Sequence, residues 1–287
     1  MNIKPCLALA SLSLLLLGGC KDVSLSPTTP PPSVVISSKI NDTGIDWCAD
    51  DTTNRNADAT DKVQGCDDYS ISHPMQDGHT GRDAQARAGT LVKIGAGHAG
   101  FDFTKLSAVD GTALAIQNAA GDDAGNEAAG TQWGCVRDNV TGLIWENKTN
   151  TAGLHNSSNT YTWFNDDATN NGGANGTANG GSCTGSDCDT KAYVSAVNAV
   201  NSNSGLCGAN DWRLPSKEEL QSIVHKGTVN PAIDTTFFPN TQSNYYWSAS
   251  AYAYLSNYAW IVLFSSGNDN VSNKSDSRYA RLVRVGQ

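Results

Sequence analysis

The chain has 287 residues, enough for one or two domains. Charged residues make up only 16 %, against roughly 25 % in an average soluble protein; Asn, Ser, Thr and Gly supply the remaining polarity, which suits a loop-rich exported protein more than a helical cytosolic enzyme. The balance of 19 basic and 28 acidic side chains, net −9, offers no basic groove and argues against nucleic acid as a partner.

Lys4 gives a positive start, and the apolar run from Leu7 to Leu17 is too short to span a bilayer but right for the core of a signal peptide. The run ends in Leu17-Gly18-Gly19-Cys20, which resembles the bacterial lipobox. That resemblance implies removal of residues 1–19 and acyl chains on Cys20, with several chains giving firm anchoring. Lys21 replaces the aspartate that would resemble an inner-membrane retention signal, so the expected place is the outer membrane, facing the cell surface. Residues 20–40, with SPTTPPPS, read as an extended tether.

With Cys6 in the signal and Cys20 lipidated, Cys48, Cys66, Cys135, Cys183, Cys188 and Cys207 remain, an even set for an oxidising compartment. Their pairing is open from spacing alone. Metal is not expected, because there is no C-x-x-C and no paired histidine spacing.

Residues 41–130 read as a small, irregular region in which GRDAQARAGTLVKIGAGHAGFDFTKL is the most ordered part, packing on the next domain. WGCVRDNVTGLIWENKT (133–149) predicts a hairpin. Residues 165–182, with three Asn-Gly pairs, predict a loop. Asp189 caps a helix with Tyr193, Val197 and Val200 on one face. Ser216 and Glu219 form a capping box for a second helix, with Leu220, Ile223 and Val224 as its buried stripe, a partly exposed His225, and Gly227 as its end. Strands are predicted at 245–250, 259–264 and 278–285, the middle one central because it is apolar on both faces. The order hairpin, helix, helix, strands gives an α+β domain over 131–287.

DNVTGLIWE (138–146), the Cys183/Cys188 pair, CGANDWRLPSKEEL (207–220), YYWSAS (245–250), AWIVLF (259–264) and RLVR (281–284) together resemble the bacterial DUF1566 or collagen-like-adhesin C-terminal domain family. The resemblance implies a C-type-lectin-like (formylglycine-generating-enzyme-like) fold with two helices and a small, irregular antiparallel sheet. It also implies that Cys135 and Cys207 lie close enough to pair; with Cys183–Cys188 closing a local loop, Cys48 and Cys66 remain for each other. In DWRLP, Trp212 and Leu214 are read as packing beneath the helix, while Asp211 and Arg213 lock the loop by ion pairing.

Residues 244–279 hold five Asn, six of the chain's nine Tyr, eight Ser and two Asp, a composition favoured in binding surfaces. Apolar positions sit between them: Trp247, Trp260, Val262 and Phe264, with Leu282 and Val283 just beyond, all expected to be buried. The pattern resembles variable regions of retroelement-diversified surface lipoproteins, and a fixed-specificity adhesin for glycans or surface polymers is the alternative. The expected ligand-binding positions, exposed and on one face, are Tyr252, Tyr254, Asn257, Tyr258, Ser266, Asn268, Asp269, Asn270, Ser272, Asn273, Ser275, Asp276 and Tyr279. Lys274, Arg278, Arg281 and Arg284 form the one basic cluster nearby. His73, His79, His98, His155 and His225 are scattered, no cysteine follows Cys207 and no catalytic motif appears, so no enzyme activity and no cofactor are expected. Calcium is not indicated, since Asp269 and Asp276 stand alone. The expected partners are the membrane, through the lipid, and a protein or glycan at the cell surface.

Overall fold

The computed structural model describes residues 40–48 and 76–286. They fall within one compact unit, 37–287. The expected signal segment, Cys20, all but the last residue of the tether, Cys66 and His73 lie outside the described residues.

In chain order the elements are α1 (Gly81–Arg87), β1 (Phe103–Leu106), β2 (Cys135–Asp138), β3 (Leu143–Glu146), α2 (Thr190–Asn203), α3 (Lys217–Ser222), β4 (Tyr245–Ala251), β5 (Tyr258–Leu263), β6 (Asn268–Asn273) and β7 (Val283–Val285). The result is mixed α+β with two antiparallel sheets, one ordered β1-β2-β3-β7 and one ordered β4-β5-β6. Among the described residues no helix is long and apolar enough to cross a membrane.

The hairpin forms because Asp138 organises its turn. Its carboxylate accepts from the Val140 N–H at 3.0 Å and the Thr141 hydroxyl at 2.7 Å, and Gly142 takes the positive φ of 77° that closes the turn. The irregular region supplies β1, which lies beside β2 with Leu106 opposite Cys135, so a segment before residue 131 completes the sheet. Asp83 of α1 ties this region together, accepting from the Gly44 N–H at 2.8 Å and the Gly100 N–H at 2.6 Å.

Asp189 caps α2 by accepting from the Ala192 N–H at 2.8 Å. Asn201, Ser202 and Asn203 all have positive φ, so regular helix ends near Val200. Gly205 must be glycine: its φ is 75° and a Cβ there would sit 1.8 Å from the Ala209 carbonyl oxygen. The Ser216–Glu219 capping box is present, and Glu219 also holds Arg213 through two bonds of 2.6 and 2.7 Å. The helix is shorter than the sequence suggests, ending at Ser222; Gly227 lies beyond it and does not cap it. His225 is buried, not partly exposed, because its ring packs beside Phe101 and His98.

The main core gathers Phe101, Phe103, Trp133, Trp145, Leu220, Phe237, Phe238, Tyr246, Val262 and Phe264. A second cluster joins Tyr161, Tyr193, Val197, Trp212 and Leu282 around Cys135–Cys207. That disulfide has a Cα separation of 6.5 Å, and Cys183–Cys188 has 5.4 Å, both within the usual range. Cys48 is buried and disulfide-bonded.

At the centre is a polar knot. Glu146, fully buried, accepts from Lys148 Nζ at 3.1 Å, His155 Nδ1 at 2.9 Å, the Leu282 N–H at 3.0 Å and the Tyr193 hydroxyl. Burial pushes its carboxyl pKa up, but Lys148 and His155 outweigh that and hold it at about 2. Arg281, also fully buried, donates to the Glu146 carbonyl at 2.6 Å and the Thr241 hydroxyl at 2.7 Å. Arg284 pairs with Asp211 at 2.5 Å.

Candidate ligand-binding face

The three-stranded sheet carries the Tyr/Asn/Ser-rich segment. β5 is its central strand. Alternation along β5 sends Ala259 and Ile261 inward against Trp163 and Trp247. The same alternation turns Trp260 the other way. It is half-buried, not core as the sequence reading expects; Trp247, Val262, Phe264, Leu282 and Val283 are core.

Trp260 is the middle of a line of side chains drawn from four parts of the chain. Tyr252 meets its ring edge-on at 5.4 Å, and Tyr254 lies 5.8 Å from Tyr252. Lys217, the first residue of α3, places Nζ 4.4 Å from the Trp260 ring centre and donates to Asp269 at 3.2 Å. The Ser250 hydroxyl accepts from the Lys217 N–H at 3.1 Å, fixing the helix start to β4. Tyr254 is 87 % exposed at the tip of the β4–β5 loop.

The expected thirteen positions do not all share this face. Register pairs Tyr258 with Asn273 and Trp260 with Val271, placing Tyr258, Trp260, Asp269 and Asn273 on one side of the sheet. Asn268, Asn270 and Ser272 alternate to the opposite side. Ser272 is buried: it donates to Asp276 at 2.6 Å and accepts from Arg278 Nε at 3.0 Å. Tyr279 packs against the core beside Tyr246. Asn257 and Ser275 are exposed, and Ser266 and Asp276 are half-buried.

The basic cluster is not a surface patch. Lys274, Arg281 and Arg284 are buried, and each is used structurally. Lys274 Nζ donates to the carbonyls of Asn171, Ala174 and Ser256 at 2.7, 2.8 and 2.6 Å and stands 4.2 Å from the Trp163 ring centre. It thereby ties the Asn-Gly-rich loop to the β4–β5 loop; burial lowers its pKa. Arg278 pairs with Asp276 at 3.1 Å.

Sequence reasoning missed Trp260 and Lys217 as members of the face. The period of two along Ala259-Trp260-Ile261 carried the first; the second depends on where α3 docks.

No curated protein and no solved structure matches the chain. Residues 134–284, more than half of the sequence, match the family described as the Lcl C-terminal domain. From the hairpin through β7, this chain belongs to the Lcl C-terminal domain family of bacterial surface proteins.

Proposed function

We propose that the protein is a lipoprotein anchored through Cys20 in the outer membrane, and that its C-terminal domain binds a protein or glycan ligand at the cell surface without chemistry of its own. The observation that carries this reading is the contiguous line Tyr254, Tyr252, Trp260, Lys217 and Asp269. Tyr254 is exposed and Tyr252 and Trp260 are half-buried, so each ring keeps open surface; aromatic side chains that cluster in this way beside polar partners are what binding surfaces use, since they give large contact area at low entropy cost. Lys217, the cation beside Trp260, is paired with the Asp269 carboxylate, so the face is not built for polyanions.

The lectin-like fold and the diversification of residues 244–279 belong to the same reading, supported by the concentration of tyrosines there. The narrower reading is a fixed-specificity adhesin. It is favoured by Ser272, Asp276 and Arg278, whose mutual bonds leave little freedom to vary.

Two experiments test the proposal. Cys20→Ser is expected to move the protein from the membrane to the soluble fraction; unchanged retention contradicts the anchor. Combined Tyr252→Ala, Tyr254→Ala and Trp260→Ala is expected to abolish retention on ligand-bearing cells while cooperative unfolding persists; retained binding contradicts the face.

A further inference from the structure

Residues 91–96 carry their polarity inverted. Exposure alternates along them: Val92, Ile94 and Ala96 are exposed, while Leu91, Lys93 and Gly95 are half-buried. Val92 is 89 % exposed and Ile94 83 %. Lys93, the one charged side chain of the row, turns inward, and its Nζ donates to the carbonyls of Gly97 and Ala99, both at 2.6 Å. The backbone is held at both ends. The Leu91 N–H donates to the Gln85 carbonyl at 3.1 Å, the Ile94 and Gly95 N–H groups donate to the Asp102 carboxylate at 2.8 and 2.7 Å, and Ala96 exchanges backbone bonds with Phe103. Single exposed apolar residues are ordinary on a protein surface, but a fixed row of them with its lysine turned inward marks a contact.

A short chain of hydrogen bonds joins Ile40 to this row. Its neighbour Asn41 donates to Asp138 at 2.5 Å, and Asn139 donates at 2.9 Å to the same Asp102 carboxylate that holds Ile94. Ile40 is itself 78 % exposed, and it is the last residue of the segment read as a tether from Cys20. From Ala84 to Phe101 there is no Asp or Glu, in a chain of net charge −9, and Arg87 and Lys93 lie within that stretch.

We propose that Ile40, Val92, Ile94 and Ala96 rest in the headgroup region of the bilayer that holds the Cys20 lipid. This inference depends on the anchor proposed above and adds a second contact to it. From Cys20 to Ile40 the chain spans at most about 70 Å, so the acyl chains keep the row at high effective concentration beside the bilayer, where a weak contact suffices. Apolar side chains enter the headgroup boundary, and a stretch without carboxylates escapes the repulsion that anionic lipids exert on the rest of the chain. None of these residues belongs to the line from Tyr254 to Asp269, so docking here leaves that line for the ligand.

The test is carbene labelling of the full chain on vesicles of phosphatidylethanolamine and phosphatidylglycerol that carry a diazirine in the upper acyl chain, read by peptide mass spectrometry. Flotation of the vesicles reports the anchor. Labels are expected on Ile40 and on residues 88–96 of the natural chain. Val92→Asp with Ile94→Asp should lower labelling of residues 88–96 about tenfold while flotation persists. Leu255→Asp, at an apolar residue 50 % exposed elsewhere, should leave that labelling unchanged. The Cys20→Ser chain should label at the same sites more weakly, so a lost anchor and a lost contact are read separately. No label on residues 88–96 of the floated natural chain, labels spread evenly over its surface, or undiminished labelling of the double variant would overturn the proposal. Shielding of Val92 and Ile94 from hydroxyl radicals in the Cys20→Ser chain without vesicles would overturn it too, since protein would then cover the row.

Discussion

Acidification should destabilise this protein through one buried histidine. Both ring nitrogens of His225 are occupied: Nδ1 accepts from the Gly227 N–H at 3.0 Å, and Nε2 faces His98 Nδ1 at 2.8 Å. With Nδ1 accepting, the proton sits on Nε2 and points at His98, so the neutral ring is the one that fits. Burial is the main cause that lowers the His225 pKa, from 6.5 to about 4, with the nearby His98 adding to it. A folded-state value below the unfolded one means the folded protein binds fewer protons; the stabilisation is complete above 6.5 and is lost as pH falls towards 4. The full difference is worth roughly 3 kcal/mol, and about 2 kcal/mol of it should be gone by about pH 5. Glu146 does not confuse the interval, because its pKa of about 2 places its loss at lower pH, below the ordinary carboxylate value of 4.5. The assay is urea unfolding at several pH values between about 7 and about 5, for the natural chain and for His225→Gln. The natural chain should lose stability with falling pH, and the variant should be less stable at neutral pH with a much flatter profile. A variant with the same pH slope would refute the reasoning.

Lys274→Met should leave three carbonyls without their donor, destabilise by about 2–3 kcal/mol and raise amide exchange in both loops that Lys274 joins. Trp247→Ala, at a fully buried ring, should cost about 3–5 kcal/mol, whereas Trp260→Ala should cost markedly less; equal costs in denaturant unfolding would contradict the outward placement of Trp260. In the chain-entropy account, replacing Cys135 and Cys207 by Ser should cost about 4 kcal/mol, and replacing Cys183 and Cys188 about 2 kcal/mol, since the closed loops span 72 and 5 residues. Melting temperatures of the two double variants check the order.

Elements set by local chemistry were legible in the sequence. Asp189 before a helix face and Ser216 with Glu219 three residues later are caps whose partners lie within one turn. The hairpin was legible for the same reason, since Asp138 and Gly142 set its turn locally. β6 was not, because Asn268 to Asn273 carries one apolar residue and forms a strand only by lying along β5. β1 was hidden in the same way, its four residues being too few for a period. Interactions over long sequence separation were out of reach. His98 meets His225 across 127 positions, and Glu146 meets the Leu282 backbone across 136. The basic residues near the C-terminus read as a cluster in sequence, yet folding directs Lys274 to loop carbonyls and Arg281 to the core. The candidate face was legible as composition, and its membership was decided by strand alternation and by where α3 docks.

The most direct test of the account is whether ligand capture follows the Trp260 face. Full chains in detergent would be passed over an immobilised panel of glycans and surface proteins. Three proteins would be compared: the natural chain, a variant with Tyr252→Ala, Tyr254→Ala, Trp260→Ala and Asp269→Ala together, and a control with Lys191→Ala and Asp166→Ala on a surface ion pair elsewhere. The account predicts capture of the natural and control chains on the same panel member, with loss of capture confined to the face variant. Capture of the face variant at undiminished level, or its loss in the control, would contradict it.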